Sequence, residues 1–287
     1  MSHGRKGNVK AWISRVLTFS IAVALAVSAL FPAAQAAASP ETVKGSSAEN
    51  VILFIADGMG VGGYTLARWY QGGEALATDE LVCGMVQTHA ADSAITDSAP
   101  GGTAFSTGYK SHTGYVGVLP DENTMPGMDK LAEKDQKRPV ATVLEGAKLS
   151  GKSTGIVMTC EFMHATPADF ASHYPDRKNY TALTEQIVYN NLDVVLGGGR
   201  KFMTDREDGE DMIEAVKERG YQYITTRSEL LDAKADKLFG LVAEAELAYD
   251  FKRQEEEPSL AEMTKPAINT LSRKEKGFLL MVEGSTV

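Results

Sequence analysis

Cysteine is scarce in this 287-residue chain, which contains only Cys83 and Cys160. A fold held together by a framework of disulfides is therefore excluded, although one bridge between these two residues is possible. Each cysteine lies in or beside an apolar run typical of a strand, so we favour two buried free thiols over a bridge. The core must come from apolar side chains, and these make up 43% of the residues.

Basic residues are outnumbered as well, with 29 Lys and Arg against 38 Asp and Glu and a formal net charge of −9. Residues 1–36 hold four of the bases and no acid, so the rest of the chain is more acidic still. An anionic protein repels a phosphate backbone, which argues against nucleic acid as a partner.

Long apolar runs are absent after residue 36. Before it, a basic start, an apolar run over residues 16–30 and the pattern Ala34-Gln35-Ala36 predict a secretory signal peptide, residues 1–36. The alternative is a membrane anchor, but a run of 15 residues is short of the roughly 20 that span a bilayer. We expect a periplasmic or secreted protein with no membrane partner after cleavage, and a flexible lead-in over residues 37–49.

Strand-like and helix-like segments alternate along the remainder. Predicted strands lie at 51–56, 83–88, 154–159, 193–196, 221–225 and 277–282, and predicted helices at 63–70, 98–107, 139–149, 181–190, 208–219 and 259–271. This alternation predicts an α/β fold with a mostly parallel central sheet and helices on both faces. The continuous apolar run at 51–56 predicts a strand buried on both faces, and the glycines and prolines of 109–135 predict a surface loop.

Two carboxylates stand at the ends of predicted strands, where sites form in parallel sheets. Asp57 directly follows the first strand and precedes glycines that let a ligand approach closely, and Glu283 follows the last. Each could hold a cation, although an aspartate in this position is more often a turn former or a helix cap.

The small-residue segment around Ser98 predicts an accessible hydroxyl at the amino end of a helix. There the helix offers free N–H groups and partial positive charge to an anion. The alternative is a plain N-cap serine.

A third segment contains His164, Thr166 and Pro167, with Arg177 further along. The imidazole and the hydroxyl could bind a metal or its water, and the planar guanidinium suits phosphate oxygens. A solvent-facing histidine and a surface arginine are the alternatives.

Taken together, these segments resemble the alkaline phosphatase family. The resemblance covers residues 50–287 and rests on four motifs in family order, namely Asp57-Gly58-Met59-Gly60, Asp97-Ser98 with Thr103, His164 to Pro167 with Arg177, and Glu283-Gly284. It implies a three-layer fold that hydrolyses small phosphate monoesters with two zinc ions and one magnesium ion, and it suggests a homodimer.

The resemblance also implies a role for each matched residue. Ser98 would be the nucleophile, forming a phosphoserine and binding zinc, and Arg177 would hold the phosphate. Asp57 would bridge one zinc and the magnesium, with Thr166 and Glu283 as further magnesium ligands. His164 stands where relatives carry aspartate or histidine beside the third metal, and a nitrogen ligand favours zinc or cobalt over magnesium there.

Most of the family's zinc ligands follow the Glu283 motif and have no counterpart here. We therefore expect residues 50–287 to be the amino-terminal part of the catalytic domain, a fold incomplete on its carboxyl-terminal side, and little or no phosphatase activity from this chain alone. Two other functions remain open. One is an exported protein that binds a metal or phosphate without turnover. The other is a sulfatase-like hydrolase, whose signature begins as Ser98-Ala99-Pro100 but requires arginine where Gly102 stands.

Overall fold

Six parallel strands form one sheet in the computed structural model, which describes residues 48–285. The strands are β1 (Val51–Ala56), β2 (Ser153–Glu161), β3 (Val194–Gly198), β4 (Gln222–Ile224), β5 (Leu238–Leu241) and β6 (Phe278–Gly284). Their order across the sheet is β1-β6-β2-β3-β5-β4, and every neighbouring pair is parallel. The predicted signal peptide, residues 1–36, and nearly all of the predicted lead-in lie outside the described residues.

Helices occupy the connections between the strands. They are α1 (Val61–Tyr70), α2 (Ser98–Thr107), α3 (Val143–Leu149), α4 (Ala165–Ala171), α5 (Tyr180–Asn190), α6 (Met212–Glu218), α7 (Arg227–Leu231) and α8 (Leu260–Leu271). Short 3₁₀ turns lie at Asp79–Leu81, Glu133–Asp135, Arg200–Met203 and Asp250–Lys252. In the part of the chain that the structure describes, no helix combines the length and apolarity needed to cross a bilayer.

Two apolar cores, one on each face of the sheet, confirm the predicted three layers. Side chains alternate between the faces along a strand. Met158 of β2 accordingly packs with α3, α4, α5 and α6 in one core, and its neighbour Val157 packs with α7 and α8 in the other. The large side chains Phe162, Phe170 and Phe239 are fully buried in the first core.

The register of three neighbouring strands brings the predicted site segments together. Ala56 at the end of β1 lies opposite Gly284 of β6, and Met158 of β2 lies opposite Glu283. The backbone N–H of Asp57 donates to the carbonyl of Gly284 at 3.0 Å. The carboxyl ends of β1, β6 and β2 therefore meet at one edge, as the sequence predicted.

The predicted strand at 83–88 is wrong. This segment has no regular secondary structure and pairs with no strand among residues 48–285, and Met85 is 100% exposed. An apolar run needs a partner ladder before its backbone groups can form sheet hydrogen bonds. Both cysteines are free, as favoured, but Cys83 is exposed and only Cys160 is buried.

The burial expected for β1 is also wrong. Within the described residues β1 pairs with β6 alone and is an edge strand, so Val51 remains 41% and Phe54 67% exposed. Continuous apolar sequence therefore predicted the strand correctly but not its position in the sheet.

The helix predicted at 139–149 begins at Val143, four residues after the predicted start. Pro139 lies in an antiparallel bridge with Val118, and the helix starts only after Thr142, whose hydroxyl accepts the N–H of Glu145 in a capping box. The sequence reading also missed α4, α7 and β5, which have 7, 5 and 4 residues. Segments this short show too little periodicity to be recognised.

Candidate active site

A single carboxylate oxygen joins three distant segments of the chain. Oδ2 of Asp57, directly after β1, accepts a hydrogen bond from Ser98 Oγ at 2.7 Å and from Thr166 Oγ1 at 3.3 Å. Asp57 is half-buried and Thr166 is buried. The predicted nucleophile Ser98 and the predicted magnesium ligand Thr166 therefore donate to the same oxygen of Asp57, which is itself a predicted magnesium ligand.

Ser98 opens α2, and its neighbour Asp97 caps that helix. Oδ1 of Asp97 accepts the N–H of Ala99 at 2.6 Å, and its Oδ2 accepts the N–H of Gly114 at 3.0 Å. Because the aspartate takes the capping role, the hydroxyl of Ser98 is left to face Asp57. The alternative of a plain N-cap serine is therefore wrong for Ser98.

Thr166 and His164 come from the turn between β2 and α4. His164 is the N-cap residue of α4, and Thr166 and Pro167 lie in its first turn, where proline is tolerated because no N–H is required. This short helix directs the threonine hydroxyl at Asp57 and leaves the imidazole beside Arg177.

Arg177 contacts both the His164 segment and the Asp97 segment. One guanidinium nitrogen lies 2.9 Å from His164 Nε2 and another lies 3.5 Å from Asp97 Oδ1. Since an arginine only donates, Nε2 is the acceptor, and a neutral ring then carries its proton on Nδ1. Burial, followed by the charge of Arg177, lowers the pKa of His164, which favours this neutral form.

Glu283 is fully buried between β1 and β2, and its Oε1 has no hydrogen-bond partner among the described residues. Burial raises its pKa to about 7, and the charge of Asp57 contributes in the same direction. The thiol of Cys160 donates to Glu283 Oε2 at 3.4 Å, and burial raises the thiol pKa well above its ordinary value. A cation at this position would compensate the two neighbouring carboxylates.

A second buried acid, Asp169 of α4, lies behind the site. Its Oδ1 lies 2.8 Å from Thr103 Oγ1 of α2 and 3.2 Å from the N–H of Gly117. Its Oδ2 lies only 2.3 Å from the point where a Cβ on Gly102 would stand, so α2 and α4 approach each other closely here. Burial raises the pKa of Asp169 well above its ordinary value.

The structure thus brings the six predicted site residues to one edge of the sheet. Asp57, Ser98 and Thr166 are in direct contact, His164 and Arg177 form a neighbouring pair, and Glu283 lies beside Asp57. Sequence reasoning missed the proximity of Cys160 to Glu283, because it depends on the register of β2 against β6, which no local pattern encodes. It also missed Asp169, whose only signal was an acid within an apolar helical segment.

Comparisons with known proteins identify one family. The family model described as Alkaline phosphatase matches residues 48–287. Alkaline phosphatase 4 of Bacillus subtilis is 37% identical over 253 residues, covering 83% of this chain and 51% of the relative. Alkaline phosphatase 3 of the same organism is 34% identical, covering 97% and 60%. The chain therefore spans less than two thirds of the length of these relatives.

Solved structures to which this chain is similar are also alkaline phosphatases. The crystal structure of the Thermus thermophilus alkaline phosphatase superposes with a TM-score of 0.73 at 32% identity, covering 82% of this chain and 49% of that one. A histidine variant of the alkaline phosphatase from the Antarctic bacterium TAB5, solved with magnesium bound, superposes with a TM-score of 0.68 at 27% identity, covering 82% and 64%.

Proposed function

The chain belongs to the alkaline phosphatase family, and on that basis we propose that this site serves the hydrolysis of phosphate monoesters through a phosphoserine formed on Ser98. The observation that carries the proposal is the hydrogen bond of Ser98 Oγ to Asp57 Oδ2 at the amino end of α2. An accessible hydroxyl, an acceptor for its proton and a helix terminus suited to an anion meet at this point.

The chain's own residues support the steps of such a reaction. Ser98 Oγ attacks phosphorus, the bond to the departing alcohol breaks, and the serine proton passes to Asp57 Oδ2 and from there, through solvent, to the alcohol oxygen. Water then attacks the phosphoserine, which releases phosphate and restores the Ser98 hydroxyl. The fork of Arg177 and the N–H of Ser98 bind the non-bridging oxygens, since both donate to anions. The next N–H groups of α2 are already engaged, because Ala99 donates to Asp97 Oδ1 and Gly101 donates to the Asp97 carbonyl. Asp97 holds α2 and Arg177 in one arrangement, because it contacts both.

The side chains around Glu283 provide suitable ligands for a divalent cation. Asp57, Thr166 and Glu283 supply oxygen ligands of the kind that magnesium prefers, and the unpartnered Oε1 of Glu283 is available to one. Such a cation would supply positive charge to offset the two carboxylates and stabilise the charge that develops on phosphate. We propose that Asp57, Thr166, Glu283 and His164 hold it.

The two zinc ions implied by the family resemblance fit the described residues less well. Asp57 and Ser98 are the matched zinc ligands within residues 48–285, and structural and catalytic zinc sites use three or four protein ligands. Two of the other histidines are engaged elsewhere, His112 beside Asp92 at 3.3 Å and His173 beside Glu145 at 3.0 Å. We therefore propose no step that depends on zinc for the described part of the chain.

Trapping of the covalent intermediate tests the proposal. The purified chain is incubated with radioactive phosphate and magnesium at acidic pH, where a phosphoserine is stable, then denatured and digested. We expect label on the peptide that contains Ser98, none in Ser98→Ala, and undiminished label in Ser93→Ala, a serine near the same helix but outside the site. Phosphate that binds and is lost on denaturation would instead support the non-catalytic binder, and an aldehyde at position 98 would support a sulfatase-like enzyme.

Export and self-association complete the proposal. The signal-like residues 1–36 support a periplasmic or secreted location, and the net charge of −9 argues against nucleic acid as a partner. A homodimer is proposed from family membership alone, and the solution mass of the protein tests it.

A further inference from the structure

One group of potential metal-binding side chains in the described residues includes a residue that the family resemblance does not assign. Cys160, His164 and Glu283 each offer one ligand atom, and these three atoms lie within 4.8 Å of one another. From this juxtaposition we propose that Cys160 is a thiolate ligand, and that Cys160, His164 and Glu283 form a site for a borderline-soft divalent ion of the zinc and cobalt class.

The distances require only a small adjustment. A tetrahedral ion with bonds of about 2.3 Å to sulfur and about 2.0 Å to nitrogen holds its ligand atoms roughly 3.5 Å apart. Cys160 Sγ already lies 3.4 Å from Glu283 Oε2. The imidazole of His164 is the group that must approach, by a rotation of its side chain.

Burial and unpartnered atoms point to a ligand at this place. Glu283 is fully buried and Cys160 is 4% exposed, yet Glu283 Oε1 and His164 Nδ1 have no hydrogen-bond partner among residues 48–285. Buried polar atoms without partners are uncommon and costly, and a cation would satisfy the carboxylate.

Binding of the ion breaks two existing hydrogen bonds. The thiol releases its proton to the solvent when its sulfur binds the ion, as metal-bound thiols do, so the bond from Cys160 to Glu283 is replaced by two bonds to the ion. Binding through either ring nitrogen also ends the bond from Arg177 to His164. An ion on Nε2 takes the lone pair itself, and an ion on Nδ1 leaves the ring proton on Nε2. Arg177 keeps its contact with Asp97 at 3.5 Å.

The nature of the ion follows from the ligand set. Sulfur and nitrogen ligands select zinc and cobalt, whereas magnesium prefers oxygen alone. The inference rests on the proposed function in that both place a cation on Glu283 and His164. Its ligand set, unlike the proposed magnesium site, includes Cys160.

Cobalt titration tests the proposal on the purified chain. Cys83→Ser removes the exposed thiol, so that Cys160 is the single remaining cysteine. We expect Cys83→Ser to develop a thiolate-to-cobalt charge-transfer band in the near ultraviolet as Co²⁺ is added, and Cys83→Ser/Cys160→Ser to develop none. The weakening of Co²⁺ and Zn²⁺ binding in the double variant should reach at least the roughly 10- to 100-fold that loss of an outer-shell partner causes.

Magnesium is the matched control, because it does not use sulfur. We expect the affinity for Mg²⁺ to be the same in both variants, and circular dichroism to show the same fold. Absence of the band at saturating cobalt, its persistence without Cys160, or an equal loss of Mg²⁺ affinity would overturn the proposal. The readout is independent of phosphate trapping on Ser98, so either proposal can fail while the other stands.

Discussion

At the scale of single residues, the candidate site depends on buried acids whose protonation the fold controls. Asp169 is the clearest case, because it contacts α2 through Thr103 and the Tyr115–Gly117 loop through the N–H of Gly117 without lying among the proposed ligands. Burial raises its pKa well above 3.8, the ordinary value. The folded protein therefore binds the proton of Asp169 more tightly than the unfolded chain does.

The sign of the resulting pH dependence follows from linkage. Below pH 3.8 the acid is protonated in both states and its contribution to the free energy of unfolding is fully present. As the pH rises towards the folded-state pKa, the unfolded chain ionises first and this contribution is lost. We expect Asp169→Asn, which cannot ionise, to equal or exceed the wild type in stability at neutral pH, with the difference vanishing at low pH.

Urea unfolding of both proteins across this pH range measures the difference. Asp169→Ala is the control for the hydrogen bonds themselves. It cannot ionise either, and we expect it to be about 1–3 kcal/mol less stable than Asp169→Asn at every pH, because the bonds from Thr103 and Gly117 to this side chain are lost. A wild type more stable than Asp169→Asn at neutral pH would show that the carboxylate is ionised in the folded protein.

At the scale of elements, we expect alanine at two consecutive glycines of α2 to have opposite effects on the free energy of unfolding. Alanine normally stabilises a helix interior by up to about 1 kcal/mol relative to glycine. A Cβ at Gly101 would meet only Thr96, at 3.6 Å, but a Cβ at Gly102 would stand 2.3 Å from Asp169 Oδ2.

We therefore expect Gly101→Ala to keep or raise the free energy of unfolding and Gly102→Ala to lower it by about 1–3 kcal/mol, the usual cost of overpacking. Thermal and urea unfolding of the two variants measure this directly. Equal behaviour of the pair would mean that α2 and α4 are not held together through Asp169.

The elements also show how far sequence reasoning reaches. The limits of β1 and α2 are predicted to the residue, because a continuous apolar run and a segment of small residues are local signals. The sequence did not reveal that Asp97 caps α2. The start of α3 was misplaced, since the bridge of Pro139 to Val118 is a long-range contact that no local pattern reveals. The site residues could be named because their motifs are local in the sequence. The contact of Cys160 with Glu283 could not, because it depends on the register of β2 against β6.

At the scale of the whole molecule, the edge strand β1 presents an apolar surface. Phe54 is 67% exposed and lines a groove of about 550 Å³ with Leu260 and Ile268 of α8. Exposed apolar edges promote association between chains, and a lysine on the edge opposes it. We expect Phe54→Lys to reduce concentration-dependent association of the purified chain.

Light scattering over a dilution series measures this association. Leu149→Lys is the matched control, because Leu149 is 89% exposed but lies at the end of α3, which packs on the opposite face of the sheet from α8. Association that both variants reduce equally, or that neither changes, would mean that β1 is not responsible. Both substitutions should alter the free energy of unfolding by no more than about 0.5 kcal/mol, as is usual at the surface.

The pairing of β1 with β6 has a consequence for how the protein reaches its native state. Phe278 donates its backbone N–H to the side chain of Asn50, 228 positions earlier, and the Asp57–Glu283 neighbourhood is built on that same pair of strands. During synthesis β1 must therefore wait until β6 has left the ribosome before these two strands can pair. Contacts this distant along the chain close slowly, so the chemistry at this edge of the sheet should appear late in folding, after the α/β layers between have already packed.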